Sequence, residues 1–171
     1  CMKKKHALFL IGSLFYLNNQ VFSNNINIDS DPTMMGQDAI NNTAYIVFDM
    51  SWENSWRTSA GSNNWDAAWV FVKYSRQSDP TTWMMLPASL STNPSDYSIT
   101  NNNGVAATFS PTSDGLGVFI YRSGDGTGNI NWDGIKIKWN YGLGVPSWGI
   151  AGPGDGDLIN IRVFAIEMVY V

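Results

Sequence analysis

The chain has 171 residues, the length of a single domain, and carries 10 Lys and Arg against 14 Asp and Glu, so it is acidic with only 14% of its residues charged. Its one Cys (Cys1) and one His (His6) both precede an apolar run that reads as a removable leader, which leaves the remainder without a thiol or an imidazole. Cysteine nucleophiles, Ser-His-Asp triads, histidine-ligated metals and disulfide frameworks are therefore excluded together.

The leader comes first in chain order. Residues 3–6 are Lys-Lys-Lys-His, Ala7–Leu17 is apolar, and Val21-Phe22-Ser23 offers a small-residue cleavage site before Asn24. A basic start, a short apolar stretch and a polar exit are the pattern of a secretory signal peptide, assigned here to residues 1–23. Eleven apolar residues cover only about half of a bilayer core, so a membrane anchor is not expected after cleavage. The expected location is the periplasm, the cell surface or the medium. Cys1 precedes Met2, which suggests Met2 as the true start. Removing the three leader lysines leaves seven basic against fourteen acidic groups, a formal charge of −7. The surviving cations are dispersed, so the positive footprint that nucleic acid requires is missing.

Residues 24–43 are rich in Asn and Asp and read as a flexible lead-in. A period of two then takes over. In Ala44–Trp52 the apolar positions are Ile46, Phe48, Met50 and Trp52. Ala67–Ser75, Thr82–Leu86, Val105–Phe109, Gly117–Arg122 and Leu158–Val171 also read as strands, rich in Val, Ile, Phe, Trp and Tyr. Ile135, Ile137, Trp139 and Tyr141 alternate with Lys136, Lys138 and Asn140, the cleanest half-buried strand of the chain. The prolines fall between these runs. Twelve of the sixteen glycines lie between Gly115 and Gly156, which predicts tight turns in the second half. No segment sustains a helical period. The expectation is an all-β, antiparallel β-sandwich, jelly-roll-like, over residues 44–165.

The densest chemistry lies in Phe48–Arg57 and Asn64–Trp69, where Trp52, Trp56, Trp65 and Trp69 share the segment with Glu53, Asp66 and Arg57. Flat rings beside carboxylates suit a sugar-binding face. The competing reading places Trp52 and Trp69 in the core and pairs Arg57 with Asp66 or Glu53. Trp56, Trp65, Trp83 and Trp148 lie in or beside predicted loops and are the better exposed candidates. A glycosidase or lyase would need two carboxylates about 5–9.5 Å apart. Glu53, Asp66 and Glu167 are the candidates, without a compact spacing that pairs them.

Ser123–Asn129 carries Gly124, Gly126 and Gly128 between two strands, which favours a hairpin turn over a phosphate loop. The turn aspartates Asp125, Asp133, Asp155 and Asp157 are candidate Ca²⁺ ligands, although no full calcium-loop spacing is present and aspartate is an ordinary turn residue. No other cofactor is expected.

The blocks Tyr45–Arg57, Asn64–Tyr74, Gly117–Arg122, Lys138–Gly142 and Val163–Val171 together resemble the N-terminal β-rich region of exported Gram-negative proteins. Those proteins continue into a formylglycine-generating-enzyme-like (sulfatase-modifying-factor) domain. Ile166–Val171 is similar to the strand that opens that domain, which implies a chain cut at its border. The family's copper-binding catalytic cysteines have no counterpart here, so the resemblance implies a non-catalytic module. Its implied partners are a glycan, a cell-surface protein or the following C-terminal domain. A glycan-active enzyme and a structural spacer without ligand are the alternatives.

Overall fold

A computed structural model describes residues 25–61, 63–76, 86–143 and 159–170. Ten strands account for nearly all regular structure: β1 (Ile26–Ile28), β2 (Thr33–Asp38), β3 (Thr43–Arg57), β4 (Trp65–Arg76), β5 (Leu86–Pro87), β6 (Tyr97–Asn101), β7 (Ala107–Pro111), β8 (Val118–Arg122), β9 (Gly126–Asn140) and β10 (Ile159–Tyr170). A single 3₁₀ turn, Pro94–Asp96, is capped by the Asn93 side chain. The fold is all-β and every ladder is antiparallel.

The strands form one curled sheet in the order β6-β9-β3-β4-β8-β7. β3 carries one half: β9 runs along one side of it from Thr43 to Arg57, while β1 and β2 take the other. β4 carries the second half, flanked by β10 along its whole length and by β8 and β5 on its opposite side. The two halves are hydrogen-bonded to each other at Arg57 and Trp65.

Alternation explains the core. Ala44, Ile46, Phe48, Met50 and Trp52 of β3 point inward, as do Ala68, Val70, Val72 and Tyr74 of β4. Trp132, Ile135, Ile137 and Trp139 of β9 and Val118 and Ile120 of β8 complete one shared cluster. Trp52, Trp132 and Trp139 are fully enclosed, and the Trp132 indole N–H donates to the Val105 carbonyl at 2.7 Å. Full burial of a large apolar side chain contributes about 1.5–3 kcal/mol, so a core this aromatic holds the sheet without covalent cross-links.

Several sequence expectations change. The polar lead-in holds two strands: β1 registers Ile26–Ile28 against Trp52–Met50, and β2 lies along Val47–Thr43. Ile26, Ile28 and Met34 pack against the core from these strands, which the Asn- and Asp-rich composition conceals. β6 was also hidden, since Tyr97 and Ile99 alternate with Ser98 and Thr100 over only five residues, too short a run to stand out. The expected boundary between residues 165 and 166 falls inside β10, whose ladder to β4 runs unbroken from Ile159 to Tyr170. The turn after β8 is not a hairpin, because β8 pairs with β4 and β7 whereas β9 pairs with β3 and β6. That turn carries the chain from one half of the sheet to the other. The predicted strand Thr82–Leu86 lies mostly outside the described residues.

Candidate functional site

Two crossings between the halves, β3 to β4 and β8 to β9, meet at one corner, where Arg57 is opposite both Trp65 and Gly126. The ladder shifts between Trp52 and Ser55, and Asn54 there adopts a left-handed φ of 56°. This bulge inverts the strand's parity. Even-numbered residues face inward as far as Trp52, but beyond the bulge Ser55 takes the inward position.

Ser55 lies fully buried beside Asp66, which occupies an inward position at the start of β4 and is 0% exposed. The Ser55 hydroxyl donates to Asp66 Oδ1 at 3.1 Å, and the Trp56 N–H donates to the same oxygen at 2.9 Å. Arg122 Nε donates to Ser55 Oγ at 3.2 Å and its Nη2 donates to the Gly128 carbonyl at 2.6 Å. The hydroxyl thus links a buried guanidinium to a buried carboxyl. Asp66 Oδ2 has no partner. Burial pushes the Asp66 carboxyl up to about 6; the Trp56 and Ser55 hydrogen bonds oppose this and the Glu167 charge adds to it. Burial lowers the Arg122 guanidinium from its usual range, against the pull of Asp66.

Among the described residues, Arg57 donates no hydrogen bond to a carboxylate. Its Nη1 donates to the Arg122 carbonyl at 2.8 Å, and its guanidinium lies 5.1 Å from the Trp65 ring and 5.5 Å from the Tyr121 ring. Those two rings stack at 5.7 Å. Cross-strand partners share a face, and the Arg57 guanidinium accordingly lies over the Trp65 ring. Trp56 and Trp65 are both half-buried. Glu53 is exposed beside the bulge, where its Oε2 accepts from Asn25 Nδ2 at 3.1 Å. Trp83 and Trp148 lie outside the described residues.

Among the enzymatic candidates, Asp66 and Glu167 are inner-face diagonal neighbours, since Glu167 pairs with Ala68 and Val169 with Asp66. Diagonal pairs stand about 7–8 Å apart, within the range two glycosidic carboxylates require. Asp66, however, is sealed from solvent. The calcium candidates separate: Asp125 precedes β9 and accepts from Ser59 Oγ at 2.5 Å, whereas Asp133 lies well along β9 and accepts from Asn101 and Asn103. At a rise of 3.3 Å per residue they are about 25 Å apart. Asp155 and Asp157 lie outside the described residues. Among the described residues no group of three or more His, Cys, Asp or Glu is placed to hold a metal ion.

The feature that sequence reading missed is the outer face of β4, β10 and β8. Trp69 was expected in the core but has the opposite parity to Val70 and points outward, opposite Ile166 on β10 and Phe119 on β8. Phe71 faces Phe164 at 5.1 Å with the rings nearly parallel, and Trp69 and Phe71 approach to 4.9 Å. Phe164, Ile166 and Met168 are 36%, 46% and 44% exposed. The signal for this face was the run Ala67–Val72 together with Val163–Ile166, apolar on both parities. Beside it, a groove of about 530 Å³ separates Asp29 and Asp31 of the β1–β2 connection from Ile161 and Arg162 of β10. A second, of about 400 Å³, lies between Tyr45, Asp96 and Lys136 on the other half. No family model, no curated protein and no solved structure matches the chain.

Proposed function

We propose that the chain is a non-catalytic β-sandwich docking module of an exported protein, and that it engages its partner through the outer face of β4, β10 and β8. The observation that carries this reading is the aromatic and aliphatic surface formed by Trp69, Phe71, Phe119, Phe164, Ile166 and Met168. Contiguous apolar surface of this kind on a monomer marks an interaction site more often than an accident of packing. The basic and apolar leader supports export, and the same surface is compatible with packing on a following domain of the kind the sequence resemblance implies. A glycan is the second occupant, favoured by Trp65 and Tyr121 stacked beside the Arg57 guanidinium at the rim of that face.

Titration of the ¹⁵N-labelled chain with glycan and peptide libraries tests both readings. A docked ligand shifts the Phe164, Ile166 and Met168 amide signals and leaves the indole signals of the enclosed Trp52, Trp132 and Trp139 in place. A glycan shifts Trp65 as well and loses affinity in the Trp56→Ala/Trp65→Ala variant. Libraries that move no signal on this face overturn the docking assignment and leave the spacer reading.

A further inference from the structure

The β3–β9 half of the sheet has a groove of its own, and its walls follow from register. On the outward side, Tyr45 of β3 stands between Met35 of β2 and Lys138 of β9, and Lys136 stands between Val47 of β3 and Ser98 of β6. The Pro94–Asp96 turn leads into β6 and brings Ser95 and Asp96 to the same place. On the other side the β2 ladder shifts between Met35 and Asp38. Gly36 there takes φ 59°, and a Cβ on it would meet Tyr45 Cδ2 at 3.4 Å. The groove between these walls has a volume of about 400 Å³, within the ~300–1,000 Å³ of small-ligand sites.

Its polar groups are mostly donors without partners. Lys136, half-buried on β9, makes no hydrogen bond or ion pair among the described residues, and neither do the hydroxyls of Tyr45, Ser95 and Ser98. Asp96, which also lines the groove, is engaged on both oxygens. Its Oδ1 accepts from Lys138 Nζ at 3.2 Å and its Oδ2 from the Ser91 hydroxyl at 2.6 Å. Lys138 thereby offsets the Asp96 charge and leaves that of Lys136 uncompensated. Further along β3, the Asp49 carboxylate accepts from the Gly134 N–H at 2.7 Å and does not line the groove.

One cation and three hydroxyls call for a ligand rich in acceptors that carries a single negative charge. A phosphate monoester, at about −1.5 to −2, would bring more charge than Lys136 neutralises and press the excess on Asp96. The Tyr45 ring and Met35, 47% exposed, add an apolar surface beside the donors. Such a surface suits the C–H face of a sugar ring.

We propose that this groove binds a monoanionic sugar, a hexuronate or a sugar sulfate, with its ring against Tyr45 and its acid on Lys136 and Ser98. The hydroxyls of Tyr45 and Ser95 then reach the sugar's own hydroxyls. The site is separate from the outer face of β4, β10 and β8, and neither reading depends on the other.

The test is titration of the whole ¹⁵N-labelled chain with sodium glucuronate, glucose 6-sulfate, glucose and sodium acetate, read at the Ser95, Ser98 and Lys136 amides. Saturable shifts with glucuronate or with glucose 6-sulfate are expected, and the tighter of the two identifies the acid. Glucose lacks the charge and acetate lacks the ring, so each is expected to bind at least about tenfold more weakly. Lys136→Gln is expected to lose about tenfold, the low end for a hydrogen bond to a charged group, and Lys136→Arg to keep binding. An unchanged circular dichroism spectrum shows that both variants are folded. Acetate that binds as tightly as either acidic sugar reduces the groove to an anion patch and overturns the proposal, and glucose that does so overturns it as well. So does a Lys136→Gln variant that binds like the native chain. Shifts confined to Phe164, Ile166 and Met168 would put the sugar on the docking face; they overturn the proposal, as does the absence of a saturable shift with every probe.

Discussion

At the scale of the residue, Asp66 shows how a charged side chain can be held in a core at a cost. Its Oδ1 is satisfied by Ser55 and by the Trp56 N–H, while Oδ2 is buried without a partner. With its carboxyl raised to about 6, the folded chain keeps a proton that the unfolded chain releases nearer 4. The folded state then binds more protons over that interval, so stability falls as pH rises from about 4 to about 6 and levels off above it. The shift corresponds to roughly 3 kcal/mol. Urea unfolding of Asp66→Asn is expected to lose this slope and to match or exceed the native chain at pH 7.5. A slope that persists in the variant would place the titration elsewhere. Asp66 was legible in the sequence only as one of several acids beside Trp65. Its burial depends on the bulge at Asn54, a change of parity that residue types alone do not encode.

At the scale of the element, strands with strict alternation were readable and strands built on edges or bulges were not. Ile135–Tyr141 folds as its pattern dictates, because one face meets the core and the other meets solvent. β3 was recognised as far as Trp52 and then lost, since Glu53 and Asn54 break the period that continues to Arg57. β1 and β2 escaped notice because their few core-facing residues, Ile26, Ile28 and Met34, are scattered among polar neighbours. β9 contains a second shift, opposite Phe48–Met50, where Gly134 adopts φ 64° and its N–H donates to Asp49 Oδ1 at 2.7 Å. A Cβ on Gly134 would meet Thr100 Oγ1 at 2.6 Å and Thr100 Cβ at 2.9 Å. Gly134→Ala is therefore expected to lower stability by about 2–3 kcal/mol through a left-handed backbone and a steric clash. The urea midpoint measures it, and a loss under half a kilocalorie would mean that the β6 edge yields.

At the scale of the whole molecule, sequence and structure agree on class and diverge on surface. Alternation and turn punctuation pointed to an antiparallel β protein, and Trp52, Trp132 and Trp139 supply much of its core. The outer face was overlooked, because Trp-rich loops drew attention while this broad apolar surface is assembled from β4, β8 and β10, three strands far apart in the chain. Single-strand periodicity cannot reveal a face that exists only after pairing. The same assembly separates an acidic body from a face whose fixed charges are Lys73 and Arg162.

The position of β3 also bears on the order in which the chain acquires structure. Its main partner is β9, so Ala44 cannot find its place until Trp139 exists, and β4, which follows β3 directly, bonds to it at a single corner. Closing such a distant pairing costs chain entropy before any burial offsets it, and sheets of this kind fold in milliseconds to seconds. Stopped-flow tryptophan fluorescence is expected to place refolding in that range, and a chain ending at residue 125 is expected to lack a β-sheet circular dichroism spectrum; microsecond refolding or a folded fragment would contradict this ordering. Were the chain exported as proposed, late closure would have a use: until its ninth strand has been made, it would remain a thread that a translocation channel can pass.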